Sequence, residues 1–247
     1  SVGDAQGVIS LTEVSVASSA GMGLNVNSMT GATISVNGGA FSASNVGINL
    51  NAVDGASKVS LSGATVNTPS DAVKATTVDG SIYIADCSLN SAARALHVTL
   101  AVASGATIDI ERSALVTSGA ANAVLFDSAV AGRLAISRST VTAVSSAAIF
   151  AAADITGSVA LHQTEVTSAS AEGVRLVSLT GGILRVSQGS ITAGTTAFYI
   201  TDACDGASAI ALDNVAVLGA SEGIHAVGAF GGRLSISGGS VASTTGA

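Results

Sequence analysis

The chain has 247 residues, with 16 acidic against 9 basic side chains and a formal charge of −7 at pH 7. Apolar residues make up 48% of it, yet aromatics only 3% and charged residues 10%, with one Pro and no Trp. That composition excludes a disordered chain, its thinly scattered basic residues give no footprint for nucleic acid, and its many small residues argue for a narrow interior.

The N-terminus has neither an initiator Met nor a basic flank before an apolar run, so the chain reads as processed or as an excerpt of something longer. After Gly7 comes an apolar, any, apolar triplet, Ile9/Leu11, with a further apolar residue, Val16, five places on. The arrangement recurs as Ile34/Val36 with Phe41, Val59/Leu61 with Val66, Ile82/Ile84 with Leu89, and Ile108/Ile110 with Leu115. It continues as Leu134/Ile136 with Val141, Val159/Leu161 with Val166, Leu184/Val186 with Ile191, Ile210/Leu212 with Val217, and Leu234/Ile236 with Val241. From Ile9 to Leu234 the nine steps average 25 residues. A third alternating segment follows in each unit, from Leu24/Val26 through Leu96/Val98 to Ile224/Ala226. Beyond it another apolar residue recurs, as Val78, Val130, Ile155, Leu179 and Phe230, which predicts a corner that also folds inward. The next unit then opens on Gly31, Gly55, Gly80, Gly105, Gly132 or Gly157, where a turn with positive φ is expected. The charge-free run Ser139 to Ala153 is too short for a spanning helix and alternates with Ser and Thr, so it reads as strand.

Three short strands with one apolar face cannot bury that face alone. Stacking the units in parallel does so, at about 4.8 Å per coil. The expected fold is therefore all-β: a single-stranded right-handed parallel β-helix (β-solenoid) of about ten coils, three strands per coil, forming one domain over residues 1–247. Neither terminus carries a polar or helical cap, so both ends are expected to be open, in a fragment or a polymerising unit. A sandwich would not repeat so strictly, and a propeller blade is longer and marked by aromatics.

The units GATISV, GSIYIADCSL, GATIDIERSAL, GRLAISRSTV, GSVALHQTEV and GGRLSISGGSV resemble the right-handed parallel β-helix repeats of pectin-lyase-like proteins, autotransporter passengers and large repetitive surface proteins. The resemblance covers nearly the whole chain and is one of architecture. It implies an extracellular or cell-surface location.

Enzymes of that architecture use carboxylates, or carboxylates with Arg or Lys, converging from neighbouring coils. The outward row of the first strand reads Ser10, Ser35, Ser60, Tyr83, Asp109, Ala135, Ala160, Arg185, Ala211, Ser235, and carries no such cluster. Asp109 with Glu111 reads as solvated edge charge, and Asp202 with Asp205 as turn caps. His97 and His225 fill equivalent slots about 24 Å apart along the stack, His162 lies on another strand, and no carboxylate or Cys stands at ligand spacing from any of the three. Cys87 and Cys204, about 19 Å apart by the same spacing, are expected to be free and buried as small hydrophobes. Only Thr140/Thr142 gives the Thr pair of an ice-binding ladder, and there is no N-glycosylation sequon. No catalytic, cofactor or metal residues are assigned.

The third strand's outward row is the most varied: Asn25, Asn49, Lys74, His97, Leu125, Phe150, Arg175, Tyr199, His225. Its stretch His97, Leu125, Phe150, Arg175, Tyr199, His225 is the expected contact face, for another rod, a surface protein or a glycan. The expected function is a non-enzymatic structural or adhesive rod outside the cell, self-associating end to end or laterally, with no transmembrane segment. The alternative is a polysaccharide-active or glycan-binding β-helix.

Overall fold

The computed structural model describes residues 2–245. It is all-β: three parallel sheets of ten strands each, in which every interior strand pairs with its equivalents one coil before and one coil after. The first-strand sheet runs from Val8–Thr12 to Arg233–Ser237, the second from Ser15–Ser18 to Ser240–Ser243, and the third from Val2–Ala5 to Glu222–Ala226. This is a parallel β-solenoid, consistent with the right-handed parallel β-helix. Coils are numbered below from Val8–Thr12 as the first to Arg233–Ser237 as the tenth. At the spacing between paired strands the stack is roughly 50 Å long.

Alternation drives each strand. In Ser81–Ala85 the side chains of Ile82 and Ile84 point inward and are buried, while Tyr83 points out. The register keeps like over like, Ile82 on Val59 and Ile108, Ile84 on Leu61 and Ile110. One continuous core of aliphatic ladders results. Each fully buried Leu, Ile or Val in it contributes about 1.5–3 kcal/mol. Of the aromatics, Phe41, Phe126 and Phe198 lie fully inside.

The second strand has another inward place that the apolar pattern does not reveal. It is filled by Ala43, Thr68, Ser91, Thr117, Ala143, Ser168 and Ala193, all buried. There Thr117 Oγ1 donates to the carbonyl of Ala93 at 2.6 Å, Ser168 Oγ to that of Ser146 at 2.8 Å, and Thr68 to that of Asn45. In those three coils a short hydroxyl side chain thus satisfies a carbonyl of the loop that leads to the third strand.

Three expectations are refined. A third-sheet strand, Val2–Ala5, precedes the first coil, with Val2 opposite Val26 and Ala5 opposite Met29. Gly3 and Asp4 are poor strand formers, so its pattern is faint and backbone pairing decides it. The corner residues Val78, Val130, Ile155 and Leu179 are buried, and bridges link Val78, Val102, Val130 and Ile155 in sequence. Coils of different length are accommodated there, by an early end to the third strand at Val98 and by a register shift between Ala151 and Asp154.

The third refinement concerns the opening glycines. Of the six, Gly31 and Gly105 have positive φ, 60° and 90°. Gly80, Gly132 and Gly157 are required by close approach instead, since a Cβ would come within 2.5 Å of a carbonyl oxygen of the preceding coil. The systematic left-handed position lies elsewhere, directly after the first strand. It is occupied in the ten coils by Glu13, Gly38, Gly63, Asp86, Arg112, Arg138, Gln163, Gln188, Asn214 and Gly238, with φ between 46° and 70°. From Glu13 to Asn214 each of these residues donates its backbone N–H to a carbonyl of the next coil, as Gln163 does to Ser187 at 2.8 Å. That bond, repeated at every step, compensates for a conformation most of these residues otherwise avoid.

Candidate functional site

The third sheet places the expected contact residues in one ladder: Lys74 opposite His97, His97 opposite Leu125, Leu125 opposite Phe150, Phe150 opposite Arg175, Arg175 opposite Tyr199, and Tyr199 opposite His225. The row divides into two chemistries. His97 and Leu125 are 6% and 5% exposed, so they are buried rather than presented to solvent. Phe150, Arg175, Tyr199 and His225 are half-buried and form a stack. The Arg175 guanidinium lies 5.1 Å from the Phe150 ring centre and 5.6 Å from that of Tyr199, and His225 meets Tyr199 edge-on at 5.4 Å. Such cation–π contacts contribute about 0.5–1 kcal/mol each at exposed sites. Glu172 stands 3.8 Å from Arg175, and Glu222 contacts His225.

His97 is buried because two carboxylates close over it. Its Nδ1 lies 2.8 Å from Asp71 and its Nε2 2.8 Å from Asp127. Arg94 adds a second partner for Asp71 at 3.3 Å. This corrects the expectation that no carboxylate stands near a histidine. Asp71 lies in the loop before the third strand of one coil, and Asp127 just after the third strand two coils on, so neither belongs to a within-strand row. A signal was present: charged residues recur three places before the outward position, as Asp71/Lys74, Arg94/His97, Glu172/Arg175 and Glu222/His225.

Burial alone would raise the Asp71 carboxyl, but the hydrogen bond and charge of His97, then Arg94, hold it below the ordinary carboxylate value. Both ring nitrogens of His97 are engaged, so the ring has no free nitrogen for a metal or a substrate proton. Among the described residues, no group of three or more His, Cys, Asp or Glu is arranged to hold a metal ion.

Several other charged groups also pair along the axis. Arg112 donates to both oxygens of Asp86 at 2.7 and 2.8 Å, holding that carboxyl below its usual range, and lies 2.6 Å from Glu111. Glu111 in turn takes Tyr83 at 2.9 Å and Arg138 of the next coil, while Asp109 faces Arg133 at 3.6 Å. The acidic pair expected to be solvated edge charge is therefore tied to neighbouring coils. Asp205 does cap a turn, accepting from Ser208 Oγ, Gly181 N and Ala207 N, and these bonds lower its pKa. Asp54 does the same with Ser57 and Gly31 in an identical DGAS turn.

Both cysteines are free and buried, and burial pushes each thiol up. Cys87 heads a column of small polar residues in which Ser113 Oγ accepts from its N–H at 3.1 Å and Ser139 Oγ from that of Ser113 at 3.0 Å. Cys204 lies in the inward corner, bridged to Leu179 and Phe230. Among the described residues, no helix is long and apolar enough to cross a membrane.

Comparison with family models, with curated proteins and with solved structures finds no match.

Proposed function

We propose that the protein is a non-enzymatic structural rod, extracellular or surface-displayed, whose coils serve to span distance and to join end to end. The observation that carries this reading is the use made of surface side chains. Asn25 with Asn49, Asn67 with Asn90, Asp86 with Arg112, Tyr83 with Glu111 and Gln163 with Gln188 all pair from one coil to the next. Polar groups that an enzyme would converge on a substrate are spent on holding coils in register. The extracellular setting is supported by the architectural resemblance to autotransporter passengers and repetitive surface proteins.

End-to-end joining is supported by the uniform coil-on-coil register, in which each sheet repeats the same parallel pairing at every step. A second copy would extend that register, with Ile9, Leu11 and Val16 of its first coil stacking on Leu234, Ile236 and Val241 of the tenth. Electron microscopy of the purified chain at rising concentration is expected to show strings of units roughly 50 Å long. Dispersed single units at high concentration would overturn end-to-end joining.

The Phe150–Arg175–Tyr199–His225 stack favours a second role, as a lateral contact for a partner protein or another rod. Replacing Phe150 and Tyr199 by Ser is expected to abolish that contact with the fold intact, and unchanged binding would refute it.

A further inference from the structure

Five of the seven arginines have a carboxylate partner: Arg94 with Asp71, Arg112 with Asp86, Arg133 with Asp109, Arg138 with Glu111 and Arg175 with Glu172. Arg185 and Arg233 have none among the described residues, although acidic side chains outnumber basic ones in this chain. Both project from the outer face of the first sheet, and both are exposed. They line one cavity of about 270 Å³ together with Ala209, Ile210, Ala211 and Ser235.

The register explains how the cavity arises. Arg185 pairs with Ala211 and Ala209 pairs with Arg233, so the two arginines stand on coils 8 and 10, diagonally across the two alanines of coil 9. Two coil steps are roughly 9.6 Å, and each arginine side chain can lean over the small alanines from its own side. A second depression, of about 220 Å³ and floored by Ala160, lies on the other side of Arg185.

We infer that Arg185 and Arg233 form a clamp for the oxyanion group, sulfate or carboxylate, of a glycan. Guanidinium forks match a sulfate or carboxylate in paired hydrogen bonds, and unpaired cations on an acidic surface need no existing ion pair broken to bind. The cavity is larger than a lone ion and close to the lower bound of small-ligand sites, as a single sugar ring requires. The alanine methyl groups supply an apolar floor, and Ser235 supplies a hydroxyl that can donate to or accept from a ring substituent. This site lies on a different sheet from the third-strand stack and is independent of end-to-end joining.

Calorimetric titration of the chain with a sulfated oligosaccharide free of uronic acids, the same oligosaccharide desulfated, and inorganic sulfate tests the inference. The sulfated sugar is expected to bind saturably, inorganic sulfate to compete with it, and the desulfated sugar not to bind. Arg185→Ala and Arg233→Ala should each weaken binding at least tenfold, with thermal melting unchanged because both side chains are exposed. Binding that survives both substitutions, or equal binding of the desulfated sugar, would overturn the clamp. Saturable binding of inorganic sulfate together with no binding of the sulfated oligosaccharide would overturn the glycan as its ligand.

Discussion

At the scale of the residue, the buried ion cluster around His97 is the most consequential polar feature. Asp71 and His97 are each about 6–7% exposed at the side chain, so either one alone would be a poorly solvated polar group. His97→Ala leaves the Asp71 carboxylate with Arg94 alone and is expected to cost about 3 kcal/mol in denaturant unfolding. Linkage fixes the sign of the acid response. The folded Asp71 pKa lies below the ordinary 3.8, so its contribution is present above about pH 4 and is lost as pH falls through the folded value. Asp71→Asn should therefore flatten the loss of stability below pH 4, as followed by circular dichroism. The histidines also show what the sequence conceals. His97, Leu125 and Phe150 share a row that was readable from the 25-residue period, but burial was not, because the residues that cover His97 come from loops of other coils. The free state and burial of both cysteines were legible, since their spacing along the stack followed from coil number alone.

At the scale of the element, the three strands and their inward residues were legible because period-two alternation repeats in every coil. What escaped was carried by residues without an apolar signature. The buried hydroxyl places at Thr68, Thr117 and Ser168 read as polar, and their role appears only when the loop carbonyls they serve are in place. The left-handed turn escaped for a similar reason. Seven of its ten occupants are Glu, Asp, Arg, Gln or Asn rather than Gly, so glycine marked only the opening corner, where Gly31 and Gly105 do adopt positive φ, and not this one. Gln163→Val places a β-branched side chain at φ 49° and should destabilise the chain by about 1–3 kcal/mol, whereas Gln163→Gly should be tolerated. Urea unfolding of the two variants side by side distinguishes them, and equal midpoints would show that the turn does not constrain its residue.

At the scale of the whole molecule, each coil contacts only its neighbours, so the fold is a one-dimensional stack in which interior burial and surface pairing repeat at every step. The middle coils bury their aliphatic ladders on both sides. Sedimentation velocity over a wide concentration range, on the chain and on its Ile236→Asp variant, tests the proposed joining of rods most directly. The parent chain is expected to sediment faster as concentration rises while the variant remains a single unit. A parent chain that stays a single unit throughout, or a variant that assembles equally well, would contradict that joining.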